Sequence, residues 1–172
     1  MRLKNLIAVF IFLTIACSSS KNISSMNEDR SKSKTEKFEE AKKLFESKNY
    51  EFVARNANPQ GGGNIDMTAN QNFIRVKGDT LDIYLPFFGV SYMPEYHGRG
   101  TIEITGKPET YELTTNKKKK TFRIEFRIKN DFDTYDMTID AGYSGYGTLS
   151  VTSNKRSSIS YRGTIVKITT QD

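Results

Sequence analysis

One histidine and one cysteine occur among the 172 residues, and that scarcity bounds the chemistry the chain can perform. His97 lies two positions from Glu95, so an extended backbone would bring both to one side as an acid–base or ligand pair. A nucleophilic triad would have to use the same His97. Gly142-Tyr143-Ser144-Gly145-Tyr146 does not make a nucleophile elbow, because Tyr146 stands where the second glycine belongs and no helix follows. It reads as a hairpin turn. A zinc site built on one histidine lacks the further nitrogen or sulfur ligands that such sites use. Asp131, Asp133, Asp136 and Asp140 suggest a calcium loop, yet they lack its turn glycine and bidentate glutamate, and their spacing suits the outer face of a strand. Gly61-Gly62-Gly63 is followed by neither Lys-Ser/Thr nor a helix that could cradle phosphate. These readings point away from an enzyme and imply no metal and no cofactor.

Binding chemistry is better represented. Between Gly78 and Gly106 the aromatic rings Tyr84, Phe87, Phe88, Tyr92 and Tyr96, with His97, are spaced by Gly89, Pro94, Gly98 and Gly100. Barrel mouths that bind ligands use such rings with a few polar groups, and Phe88, Tyr92, Tyr96, His97 and Arg99 are the candidate site. Glycine-separated rings also close barrel ends by packing on one another, which is the competing reading. Lys117 to Lys120 lies between two strand signals. It reads as a solvated hairpin tip, with contact to anionic lipid headgroups as the sharper alternative.

The elements around these residues are mostly strands. Leu81, Ile83 and Leu85 alternate with polar residues until Pro86 removes a ladder donor. Ile102 and Ile104 do the same, as do Tyr111 with Leu113. Phe122, Ile124, Phe126 and Ile128 form the clearest series, opposite Arg123, Glu125, Arg127 and Lys129. Tyr135, Met137 and Ile139, then Leu149 and Val151, then Ile159, Tyr161 and Ile165 with Gly163, continue the pattern. Glu51 to Arg55 reads as a short strand, Asn56 to Asn64 as a loop, Ile65 to Thr68 as a brief edge strand, and Phe73 to Lys77 as the strand before the Gly78-Asp79 turn. The phase change at Val166 and Ile168 suggests a bulge or a two-sided strand. About nine or ten short strands at hairpin spacing predict an all-β fold, an antiparallel barrel or a two-sheet sandwich.

The N-terminus carries an address. Arg2 and Lys4 precede an apolar run, Leu6 to Ile15, that is too short to span a bilayer, as in a secretory signal over residues 1–16. Thr14-Ile15-Ala16-Cys17 resembles the lipobox of bacterial lipoproteins, although Thr14 stands where Leu is usual. Lipidation of Cys17 is the expectation; ordinary cleavage after Ala16, leaving a thiol, is the alternative. Acyl chains at about 0.8 kcal/mol per buried methylene would anchor the chain to the membrane permanently. Ser18 to Ser33 is serine-rich and polar, a flexible tether (with Cys17, residues 17–33) reaching about 20–24 Å. Phe38, Ala41, Leu44 and Phe45 then mark an amphipathic helix over Lys34 to Lys48, opened by a Ser33–Glu36 capping box. Residues 34–172 form one β domain that begins with this helix. The formal charge is +6, of which two units leave with Arg2 and Lys4; such an excess outside the cytoplasm implies no nucleic-acid partner.

Leu85-Pro86-Phe87-Phe88-Gly89, followed by Tyr92 and Tyr96, resembles an uncharacterised family of envelope lipoproteins of Bacteroidota-type bacteria, domain of unknown function 4251. Asn154-Lys155-Arg156-Ser157-Ser158-Ile159-Ser160-Tyr161-Arg162-Gly163-Thr164-Ile165 is similar to that family's last block, and the likeness spans about residues 50 to 166. Phe87 stands where Tyr is more usual. The resemblance implies an envelope location and a single domain, and transfers no catalytic residue. The expected protein is a lipid-anchored, periplasm-facing, noncatalytic module that binds a small amphiphile or an envelope protein. The alternatives are an interaction or structural lipoprotein without a ligand and, more distantly, a hydrolase-like enzyme.

Overall fold

The computed structural model describes residues 21–92 and 100–168. Two compact units divide the chain, residues 1–35 and 36–172, and α1 (Lys21–Glu46) runs through the boundary. The helix thus starts upstream of the expected Lys34, and the stretch Lys21 to Ser33, read as tether, is helical. No glycine or proline interrupts Lys21–Glu46. The capping serine permits a helix start at Ser33 without enforcing one, because Ser is merely a middling helix former in an interior. The polar composition that suggested a tether argues against packing, not against helix formation. The helix stops at Glu46, and Lys48 takes a left-handed φ of 48° that turns the chain into the first strand.

Within the second unit, ten antiparallel strands follow. β1 (Asn49–Pro59), β2 (Ile65–Asp66), β3 (Phe73–Lys77), β4 (Thr80–Pro86) and β5 (Thr101–Gly106) come first. β6 (Thr110–Asn116), β7 (Thr121–Lys129), β8 (Thr134–Gly142), β9 (Tyr146–Ser153) and β10 (Ile159–Lys167) complete the set. They form one sheet in the order β5-β4-β3-β1-β10-β9-β8-β7-β6, with β2 paired beside β1. The chain's first and last strands are therefore neighbours at the centre, and a meander runs outward on either side. The architecture is one all-β sheet curled into a half-barrel, the barrel-like of the two expected forms.

The curl is measurable. β1 and β6 stand five steps apart in the sheet order, which would separate them by about 24 Å in a flat sheet. Yet the hydroxyls of Tyr50 on β1 and Tyr111 on β6 meet at 2.8 Å. The alternating residues named from the sequence fill the inside: Phe122, Ile124, Phe126 and Ile128 are all buried, as are Tyr135, Met137, Ile139, Leu149, Val151, Ile159, Tyr161 and Ile165. Tyr111 and Leu113 of the terminal strand β6 are partly buried against the same core. The apolar stripe of α1 joins it. Phe38 stacks on Phe122 at 5.1 Å, and Phe45 touches both Phe122 at 4.7 Å and Tyr50 at 5.3 Å.

Two boundaries differ from expectation. β1 runs on to Pro59, taking in half of the segment read as a loop. Asn56, Ala57 and Asn58 pair with Arg162, Tyr161 and Ser160, and Pro59 ends the strand. The irregularity inferred near Val166 lies instead on the partner strand, as a register shift between Ala54 and Asn56. A bulge in one strand leaves its trace in the pairing of two, so a single sequence run does not locate it.

Candidate functional site

Past Pro86, the chain leaves the sheet and the aromatic stretch divides. The Phe87 amide still donates to the Gly100 carbonyl at 2.7 Å, prolonging the β4–β5 pairing. The Phe87 ring is buried and Phe88 is partly buried against the core, so these two close the end of the half-barrel. Val90 and Tyr92 face outward instead, 61% and 60% exposed. Tyr96, His97 and Arg99, and Glu95 beside them, lie outside the described residues, as does Cys17 with the signal segment.

What holds this strip is the turn between β9 and β10. Ser157 donates its amide to the Val90 carbonyl at 2.9 Å, and the Val90 amide donates to the Ser157 hydroxyl at 3.0 Å. The Tyr92 amide donates to the Lys155 carbonyl at 2.9 Å, and Ser91 bridges Arg156 in antiparallel fashion. One element over, the Tyr161 hydroxyl donates to the Pro86 carbonyl at 2.9 Å. Gly89 is required between them: a Cβ there would stand 2.5 Å from the Ser157 hydroxyl and 2.6 Å from the tip of the Phe87 ring.

The turn is itself braced from below. The Ser153 hydroxyl accepts the amides of Lys155 at 3.1 Å and Arg156 at 3.0 Å, and donates to the Asp133 carboxylate at 2.7 Å. Asp133 is buried in the β7–β8 turn, where Asn130 caps its amide at 2.8 Å. It therefore does not share the outer strand face with Asp136 and Asp140, which pair there with Arg127 and Arg123, each at 2.7 Å. The Arg156 side chain is 4% exposed and lays its guanidinium over the Phe87 ring, 5.0 Å from the centroid. Nearby, burial pushes the Tyr161 phenol well above its ordinary value, with Arg156 pulling it partly back.

Sequence reasoning named the exposed Tyr92 and missed its supports. Ser157 and Arg156 lie in the β9–β10 turn, Asp133 in the β7–β8 turn and Ser153 at the very end of β9, so none carries a periodic signal. The one available clue was that two motif blocks far apart in the chain occur together: here Leu85–Gly89 and Asn154–Ile165 are bonded to each other. The other candidates lie apart from this strip. Ser144 sits in the β8–β9 turn, Lys117 to Lys120 form the β6–β7 tip, and Gly61 to Gly63 take positive φ in the turn after β1.

Comparison with known proteins places both blocks within one family match. A model of the family described as domain of unknown function 4251 (DUF4251) matches residues 32–165. The chain belongs to this family. A crystal structure of a DUF4251 family protein from Bacteroides eggerthii DSM 20697 is similar in fold, with a TM-score of 0.58 at 16% identity, over 76% of this chain and 87% of that one. No curated protein matches in sequence. The DUF4251 match includes both halves of the clamped strip, and it reaches back into α1 to take in Phe38 and Phe45.

Proposed function

We propose that this DUF4251 domain is a noncatalytic binding module of the cell envelope, anchored through lipidated Cys17, and that it docks a partner protein on the ridge carrying Val90 and Tyr92. One observation carries the reading: two large apolar side chains stand exposed on backbone that is hydrogen-bonded to a braced neighbouring turn. Holding such side chains in place before binding removes much of the ordering cost of association, and an aromatic ring is a favoured anchor at protein interfaces. A partner protein suits this arrangement better than a small amphiphile, since more than half of the Val90 and Tyr92 surface is open to solvent. The apolar run before Cys17 supports the anchor.

A photoreactive residue placed at Tyr92 tests the docking in native membranes. One discrete adduct is expected from position 92 and none from Thr114 on β6; no adduct, or the same products from both positions, would overturn it. Mass analysis of the N-terminal peptide tests the anchor separately. A diacylglyceryl thioether on Cys17 is expected, and a free thiol would remove the membrane from the proposal while leaving the docking ridge.

A further inference from the structure

We propose that the outer face of the sheet, away from the Val90–Tyr92 ridge, binds an acidic saccharide between Arg55 and Arg162. A row of polar residues crosses five strands there: Asn56, Arg162, Thr148, Asp140 and Arg123 stand opposite one another on β1, β10, β9, β8 and β7. Asp140 is taken up by Arg123, whose Nε and Nη2 reach its two carboxylate oxygens at 2.7 and 3.0 Å. Arg162 is left without that carboxylate. Neither Arg162 nor Arg55 has an ion-pair partner among the described residues. Arg55 is the residue at the β1 register shift, and bulges of this kind re-aim a side chain. Here the shift brings Arg55 to the same groove as Arg162, a hollow of about 400 Å³. Tyr146, 69% exposed, stands at one side of this hollow.

The ligand class follows from these groups. Guanidinium forks match the two oxygens of a carboxylate and stay charged at every relevant pH. The open phenol ring offers a flat apolar face of the size of a sugar ring, and the Thr148 hydroxyl adds a donor and acceptor beside it. A bare anion would use the arginines and leave Tyr146 idle; a neutral glycan would leave both arginines unmatched. A chain of uronate sugars uses all of them, and a shallow, open groove suits a chain.

Titrating the full-length protein with a galacturonate trimer, a neutral glucose trimer and inorganic phosphate tests this. Saturable binding of the uronate trimer is expected, weakened about tenfold or more by Arg55→Ala or Arg162→Ala, weakened by Arg162→Lys and by Tyr146→Ala, and unchanged by Lys118→Ala. All of these side chains are exposed, so an unchanged thermal midpoint will show that the variants fold. No saturation by the uronate trimer, or equal binding by the arginine variants, would overturn the site. Phosphate binding as tight as the trimer, with Tyr146→Ala without effect, would overturn the saccharide assignment.

Discussion

Ser157 and Val90 hold each other twice, amide to carbonyl at 2.9 Å and hydroxyl to amide at 3.0 Å. The pair stitches the chain after β4 to the turn before β10, two segments 67 residues apart. Removing the Ser157 hydroxyl leaves the Val90 amide without its acceptor, a loss of about 1–3 kcal/mol if no water replaces it. Ser157→Ala should lower stability by that order in chemical denaturation and raise proteolytic cleavage between Gly89 and Tyr92.

Two glycines of the domain should differ sharply in their tolerance of alanine. At Gly89 the new methyl would press on Ser157 and Phe87, whereas at Gly106 it would meet nothing within 4 Å. Gly89→Ala should cost about 1–3 kcal/mol and Gly106→Ala less than about 0.5 kcal/mol, a contrast that denaturant midpoints will read.

Gly163 is more demanding. A Cβ there would lie 2.2 Å from the Val53 carbonyl oxygen and 2.9 Å from the Phe52 ring, contacts that only a shift of β1 against β10 relieves. Gly163→Ala should destabilise by about 3 kcal/mol or more, enough to reduce the yield of folded protein.

The helix should be part of the β domain's core. Phe45→Ala removes the ring that joins Tyr50 to Phe122, and a buried phenylalanine deleted this way costs about 3–5 kcal/mol. Denaturation should show that loss in one transition.

Buried tyrosines set the alkaline limit. Desolvation raises the Tyr50 phenol well above 10.0, and it raises Tyr111 and Tyr161 in the same direction. The unfolded chain then releases these protons first, so the unfolded state binds fewer protons than the folded one above about pH 10 and stability falls as pH rises. Below that pH both states are protonated and the contribution is constant. Tyr50→Phe should flatten the decline above pH 10 in pH-dependent melting, at a cost of about 1 kcal/mol at neutral pH for the lost bond to Tyr111.

Period-2 alternation made the half-barrel legible: Phe122 to Ile128 reads correctly because burial on one face is a local, repeating constraint. The same logic found the stripe of α1 that packs. It had nothing to say about Lys21 to Ser33, whose helix carries no apolar period, or about β1 beyond Arg55, where Asn-Ala-Asn-Pro looks like a turn and is held as strand by β10. The clamp was invisible for a different reason. Val90 and Ser157 meet through backbone groups and one hydroxyl, and their pairing depends on how far the sheet curls. Tyr92 could be named as a candidate for binding, but whether it faced outward or closed the core could not be read.

Amide hydrogen exchange at Tyr92, Val90 and Ser157 in the unmodified domain tests the clamp most directly. These three amides should be protected by at least about 100-fold over an unstructured chain, and Ser157→Ala should release Val90 first. Exchange at the free-peptide rate in all three would mean that Val90 and Tyr92 hang on a loose loop, and the preorganised docking ridge would be wrong.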